Sequence, residues 1–115
     1  MSIFDFAYEW QRLNETLEEQ HAAIGAMRES GARFAEAKRD YRIALAQKMA
    51  ELRFDKSYPV TLVPDLARGN AEVAALGYER EKAHAEFEAD RSLCEYLKNK
   101  TWIIQRHIEM EAKGL

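Results

Sequence analysis

Both prolines of the 115-residue chain, Pro59 and Pro64, fall within one stretch, Asp55 to Asn70 (DKSYPVTLVPDLARGN). Proline removes a backbone donor and clashes with the preceding turn, so helix interiors exclude it. The flanking segments are rich in Ala, Glu, Lys, Arg and Leu, with almost nothing to stop a helix for many turns. The chain is therefore read as all-α: a long antiparallel helical hairpin of coiled-coil character. It forms one domain over 1–115, with a first arm at 4–56, a tip at 57–70 and a second arm at 71–113. Folding about this tip places Leu52 opposite Ala74, Tyr41 opposite Ala85 and Leu17 near Glu109. The second arm then runs out opposite Leu13, leaving Phe4, Phe6 and Trp10 beyond its end.

Hydrophobic spacing supports two arms. Phe6, Trp10, Leu13, Leu17, Ile24 and Met27 recur in alternating steps of four and three, with Gln20 at the polar seam position. Continued across Gly31, the same count reaches Phe34, Tyr41, Leu45 and Leu52. A turn would have no reason to keep this phase, so one long arm bent at Gly31 is expected. The alternative is a chain reversal at Ser30–Gly31, which gives a three-helix bundle. The second arm carries Val73, Leu76, Ala83, Phe87, Cys94, Leu97, Ile104 and Ile108, with Arg80, Asp90 and Thr101 at the skipped positions.

Within the tip, Tyr58 precedes a proline and is pushed into extended backbone. Thr61 is read as the cap of a short turn, Gly69 as its left-handed stop and Asn70 as the N-cap of the second arm. Two or three residues would close a hairpin, so a tip of this length has a further role. It is either a structural knot packing Val60, Leu62, Val63 and Leu66 onto the arm ends, or a recognition element presenting Tyr58, Thr61, Asp65 and Arg68.

Charge narrows the function classes. The net charge is −3 and the isoelectric point near 5.7, which argues against a protein that grips nucleic acid by bulk electrostatics. Residues 1–31 carry two bases against six acids, whereas residues 32–70 carry eight against five. Arg33, Lys38, Arg39 and Arg42 form the best candidate cluster for phosphate contacts; the competing reading is a solvated face with local ion pairs. The single cysteine, Cys94, cannot form an internal disulfide, and the N-terminus lacks the pattern of a signal peptide. No apolar run approaches membrane-spanning length, so a soluble cytoplasmic protein is expected.

Chemistry-bearing motifs are sparse. Glu18 with His21 and Glu81 with His84 have the Glu-x-x-His spacing of di-iron bundles, but glutamate is abundant and the two pairs lie far apart in the hairpin. His107 is read as solvated, Cys94 as a small buried hydrophobe and Trp102 as partly buried packing. No catalytic residue, cofactor or metal is assigned. The aromatics Phe4, Phe6 and Trp10 are read as an oligomer interface, because clustered exposed aromatics mark contact surfaces.

The run Tyr41-Arg42, Ala44-Leu45, Lys48, Leu52-Arg53, Pro59-Val60-Thr61, Asp65-Leu66-Ala67-Arg68-Gly69 and Val73-Ala74, extended by Arg80, Ala83 and Ala85, resembles a family of small helical proteins encoded by bacteriophages and prophages. The likeness covers about residues 38–90. It implies phage or prophage origin and a helical fold, and carries over no catalytic residue. The expectation is a non-enzymatic helical protein that self-associates and binds or inhibits a host or phage protein in the cytoplasm of a bacterial host cell. The alternative is a nucleic-acid-binding accessory factor of phage replication or recombination.

Overall fold

The computed structural model describes residues 3–114, with side chains from Ala7 onward. Helix α1 spans Ile3–Ala50 and runs without a break into a π-helical segment, Glu51–Asp55. A short helix, α2, spans Val63–Arg68, and α3 spans Ala71–Ala112. No strand occurs among the described residues. The chain is an all-α helical hairpin, and the three-helix alternative is excluded because α1 is helical without interruption through Ser30 and Gly31. No described helix is long and apolar enough to cross a membrane. Contacts divide the chain into two compact units, Met1–Glu29 with Glu88–Leu115, and Ser30–Phe87.

In the Ser30–Phe87 unit the two helices meet through reciprocal glycine–ring contacts. A Cβ on Gly31 would lie 3.2 Å from the Phe87 ring, and one on Gly77 would lie 3.2 Å from the Tyr41 ring. Gly31 is therefore a point of close approach: the missing side chain makes room for an aromatic ring of α3. Phe34 extends the contact, with its ring centroid 4.7 Å from His84 and 6.2 Å from Phe87. The Arg80 guanidinium lies 4.3 Å from the Tyr41 ring centroid, a cation–π contact that covers the buried ring.

These contacts correct the expected pairing. Tyr41 lies against Gly77 instead of Ala85, a displacement of about two helical turns. Leu52, expected opposite Ala74, packs on Val63 and Ala67 of α2, with Leu45 and Met49 half-buried against them. The tip takes up more chain than a symmetric closure about its midpoint allows, because α1 continues to Asp55 and α2 is spent covering Leu52.

In the other unit Leu13, Ile104 and Ile108 form the core, and Thr101 Oγ1 donates to Gln20 Oε1 across the pair at 3.4 Å. The α3 seam is the one read from the sequence: Val73, Ala83, Leu97, Ile104 and Ile108 are buried across the two units. The α1 seam is only half as read. Leu13 and Tyr41 are buried, but Trp10 and Leu17 stand 46% and 43% exposed, while Thr16, Ala23 and Ser30 beside the expected positions are buried. Small side chains repeated every seven residues admit α3 closely, and the bulkier neighbours are turned to the flank. Thr16 satisfies its hydroxyl by donating to the Arg12 carbonyl at 2.8 Å, so its burial leaves no orphaned donor.

The two glycine environments generate opposite expectations. Nothing lies within 4 Å of a Cβ added to Gly25, so Gly25→Ala stabilises the protein by about 1 kcal/mol through helix propensity. Gly31→Leu forces the Phe87 ring aside and destabilises it by roughly 1–3 kcal/mol. Urea denaturation followed by circular dichroism measures both.

Candidate functional site at the tip

The tip is built from the end of α1 outward. The Lys56 amide donates to the Glu51 carbonyl at 3.1 Å and the Tyr58 amide to the Leu52 carbonyl at 3.0 Å. Between them Ser57 takes a left-handed conformation, φ 58°, and Pro59 prevents the helix from resuming. The Arg53 guanidinium donates to the Tyr58 carbonyl at 3.3 Å and ties the exit strand back to α1. A turn follows, closed by the Leu62 amide on the Pro59 carbonyl at 3.0 Å. In α2, Pro64 sits in the first turn, where its missing N–H leaves no bond unmade. Asn70 Oδ1 then accepts from the amides of Glu72 and Val73 at 3.1 and 3.2 Å, the N-cap expected of it.

Two local readings are corrected. Gly69 ends α2 with φ −80°, an ordinary right-handed value; the left-handed stop is Ser57, one helix earlier. Thr61 caps nothing, since α2 begins after Leu62 without a side-chain cap bond. The reversal at Ser57 follows directly on the π-helical turn Glu51–Asp55.

The apolar tip residues divide between two roles. Val63 and Ala67 are buried on Leu52 and hold α2 against α1. Phe54, Val60, Leu62, Leu66 and Tyr58 face outward, with Phe54 79% and Val60 63% exposed. An open cleft of about 330 Å³ lies among Met49, Ala50, Arg53, Phe54, Val60, Val63 and Pro64. Its lining is almost wholly apolar apart from Arg53. Of the tip residues named from the sequence, Tyr58, Thr61, Asp65 and Arg68 are all exposed, and Asp65 pairs loosely with Arg68 at 3.8 Å. Sequence reasoning missed Phe54. The signal was present, since the seam ends at Leu52 and leaves Phe54 off the buried face.

The other candidates are distributed differently. Arg33 pairs with Glu86 at 3.6 Å, Arg39 with Asp40 at 3.2 Å and Glu36 at 3.9 Å, and Lys38 lies 5.9 Å from the Phe34 ring centroid. Arg42 is exposed. Carboxylates thus compensate much of this cluster, the arrangement of a solvated ion-paired face. Trp10 is not beyond the end of α3: it lines a cleft with Leu13, Gln105, Ile108, Glu109 and Ala112. The side chains of Phe4 and Phe6 lie outside the described residues.

Among the described residues no cluster of three metal-ligating side chains occurs. Glu81 pairs with Arg80 at 2.8 Å, while His84 lies against Phe34. His107 is not simply solvated, since it bridges Glu9 at 3.4 Å and Glu111 at 3.2 Å. Cys94 is half-buried, and Trp102 is 60% exposed with the Arg106 guanidinium 5.5 Å from its ring centroid. The hydrogen bond from Lys82 to Glu79 raises the Lys82 pKa above its usual value, but this pair is exposed and marks no site.

Fold and surface together define an all-α helical hairpin with an apolar, hydrogen-bonded tip. Searched against protein-family models, curated proteins and solved structures, the chain matches none of them.

The corrected tip geometry has a direct test. Asn70→Ala removes a cap that receives two amides and lowers stability by about 1 kcal/mol. Gly69→Ala causes no such loss, because the added Cβ meets only the Asp65 carbonyl at 3.4 Å and the Leu66 carbonyl at 3.7 Å. Thermal melts of the two variants should diverge.

Proposed function

We propose that this chain is a non-enzymatic protein-interaction protein whose apolar tip docks onto a partner protein. The observation that carries the reading is the outward set Phe54, Val60, Leu62 and Leu66 around the cleft at Met49 and Pro64. Closing the hairpin needs only Val63 and Ala67, so the exposed members are not required for folding. An exposed phenylalanine that becomes fully buried gains on the order of 2–3 kcal/mol, and contact energy concentrates on such anchors. The backbone around them is tied by hydrogen bonds from Arg53, Lys56, Tyr58 and Leu62, which limits the ordering cost of binding.

The cleft is sized for one or two apolar side chains of the partner, with Arg53 at its edge to meet a carboxylate. The resemblance of the central block to phage and prophage proteins supports a host or phage protein as that partner. The proposal assigns no catalytic residue.

Capture from a bacterial lysate with the wild-type chain and a Phe54→Glu/Val60→Glu variant as parallel baits tests the tip. The expected result is a protein retained by the wild type and lost by the variant, with helicity unchanged. Equal retention by both baits would remove the tip from the binding surface.

A further inference from the structure

Helix α3 carries a second heptad stripe beside its core seam. Leu93, Tyr96, Lys100, Ile103, His107 and Met110 follow steps of three and four, each one position before the seam residues Cys94, Leu97, Thr101, Ile104, Ile108 and Glu111. One position is about 100° around the helix, so this stripe points away from the seam. Its large apolar members are exposed, Tyr96 by 61% and Ile103 by 58%. Helix α1 repeats the arrangement. Tyr8, Arg12, Glu15, Glu19, Ala22 and Ala26 precede the seam positions Glu9, Leu13, Thr16, Gln20, Ala23 and Met27 by one residue each. The contact of His107 with Glu9 at 3.4 Å brings the α3 stripe to the α1 edge. Both second stripes therefore share one face of this unit.

The two stripes are complementary over three consecutive levels. The hydrogen bond of Gln20 with Thr101 and the Glu9–His107 contact set the antiparallel register of α1 with α3. In that register Glu19 stands level with Lys100, Ala22 with Tyr96, Ala26 with Leu93 and Tyr8 with Met110, while Glu15 falls level with Ile103 and Arg12 with His107, two bases that Glu9 already pairs with. At the three consecutive levels from Glu19 to Ala26 acid meets base once, Glu19 with Lys100, and small meets large twice, Ala22 with Tyr96 and Ala26 with Leu93. Within one chain the stripes lie side by side and cannot face each other; across a two-fold axis parallel to the helices they can.

We infer that this face is the interface of a symmetric dimer, in which the α1 stripe of each copy packs antiparallel on the α3 stripe of the other to form a four-helix bundle. The occupant of the face is a second copy of this chain, since its own α1 supplies Glu19 for Lys100 and the small Ala22 and Ala26 for Tyr96 and Leu93. This goes beyond the tip-binding reading and does not depend on it. It also moves the expected self-association from the aromatic N-terminus to the helix faces.

Light scattering of the purified protein at micromolar concentration is expected to give a dimer mass; a monomer would overturn the inference. Tyr96→Glu with Ile103→Glu should give a monomer of unchanged helicity, because both side chains are exposed within a single chain. Persistence of the dimer in that variant would place the interface elsewhere. Glu19→Lys should weaken the dimer several-fold, and adding Lys100→Glu should restore it, an effect that a general loss of folding does not produce. Failure of the second change to restore affinity would overturn the α1-to-α3 arrangement. Phe54→Glu at the tip should leave the mass unchanged, which separates this result from that of the tip-binding experiment.

Discussion

In the Ser30–Phe87 unit the helix pair depends on two rings, Phe87 and Tyr41, each received by a glycine of the opposite helix. The contacts leave no room for a Cβ without movement, so the register is set by steric exclusion as much as by attraction. A one-residue slip would place each ring against a side chain and turn the stacked Phe34 away from His84 and Phe87. With the register held here, Leu52 has no partner on α3, and α2 must supply Val63 and Ala67 to cover it. The form of the tip follows from that requirement.

The tip then carries more apolar surface than its closing role uses. A turn between two helices is ordinarily polar, since its backbone faces water. Here the backbone demands are met internally, by the Arg53 bond to the Tyr58 carbonyl, the Leu62 bond to the Pro59 carbonyl and the Asn70 cap. The apolar side chains take no part in these bonds, and Phe54, Tyr58, Val60, Leu62 and Leu66 are exposed alongside the polar Thr61, Asp65 and Arg68. Contiguous exposed apolar residues on a rigid backbone are the usual property of a contact surface.

Much of this was legible in the chain. The two prolines located the tip, heptad phase across Gly31 revealed that α1 is continuous, and the α3 seam from Val73 to Ile108 came out in full. What misled was the assumption that the bulkiest residue of each heptad is the buried one. In α1 that pointed to Trp10 and Leu17, whereas Thr16, Ala23 and Ser30 line the seam. Hydrophobicity ranks residues by transfer cost, but a close helix pair selects by volume. The same limit hid the register, because nothing in Gly31 or Gly77 alone tells which ring each receives. Ser57 was invisible for another reason: serine has no marked preference for left-handed backbone, so nothing in its type pointed to it.

Selection by volume also explains why function is best sought on the outside. The described seam is built from residues such as Ala23, Val73, Ala83 and Thr16, while Phe54, Tyr96, Trp102 and Ile103 are on the surface. In an ordinary small domain the larger apolar side chains would be drawn inward, since burial gain grows with area. Leu13, Leu97 and Ile104 are buried here as well, so the small seam positions reduce that gain without abolishing it. Several of the large residues recur in order, Leu93, Tyr96, Ile103 and Met110 on one helix stripe and Phe54, Val60, Leu62 and Leu66 around one tip, while Ile43, Tyr78 and Trp102 stand outside both sets. Ordered exposure of this kind is the ground on which contact with another protein surface is proposed.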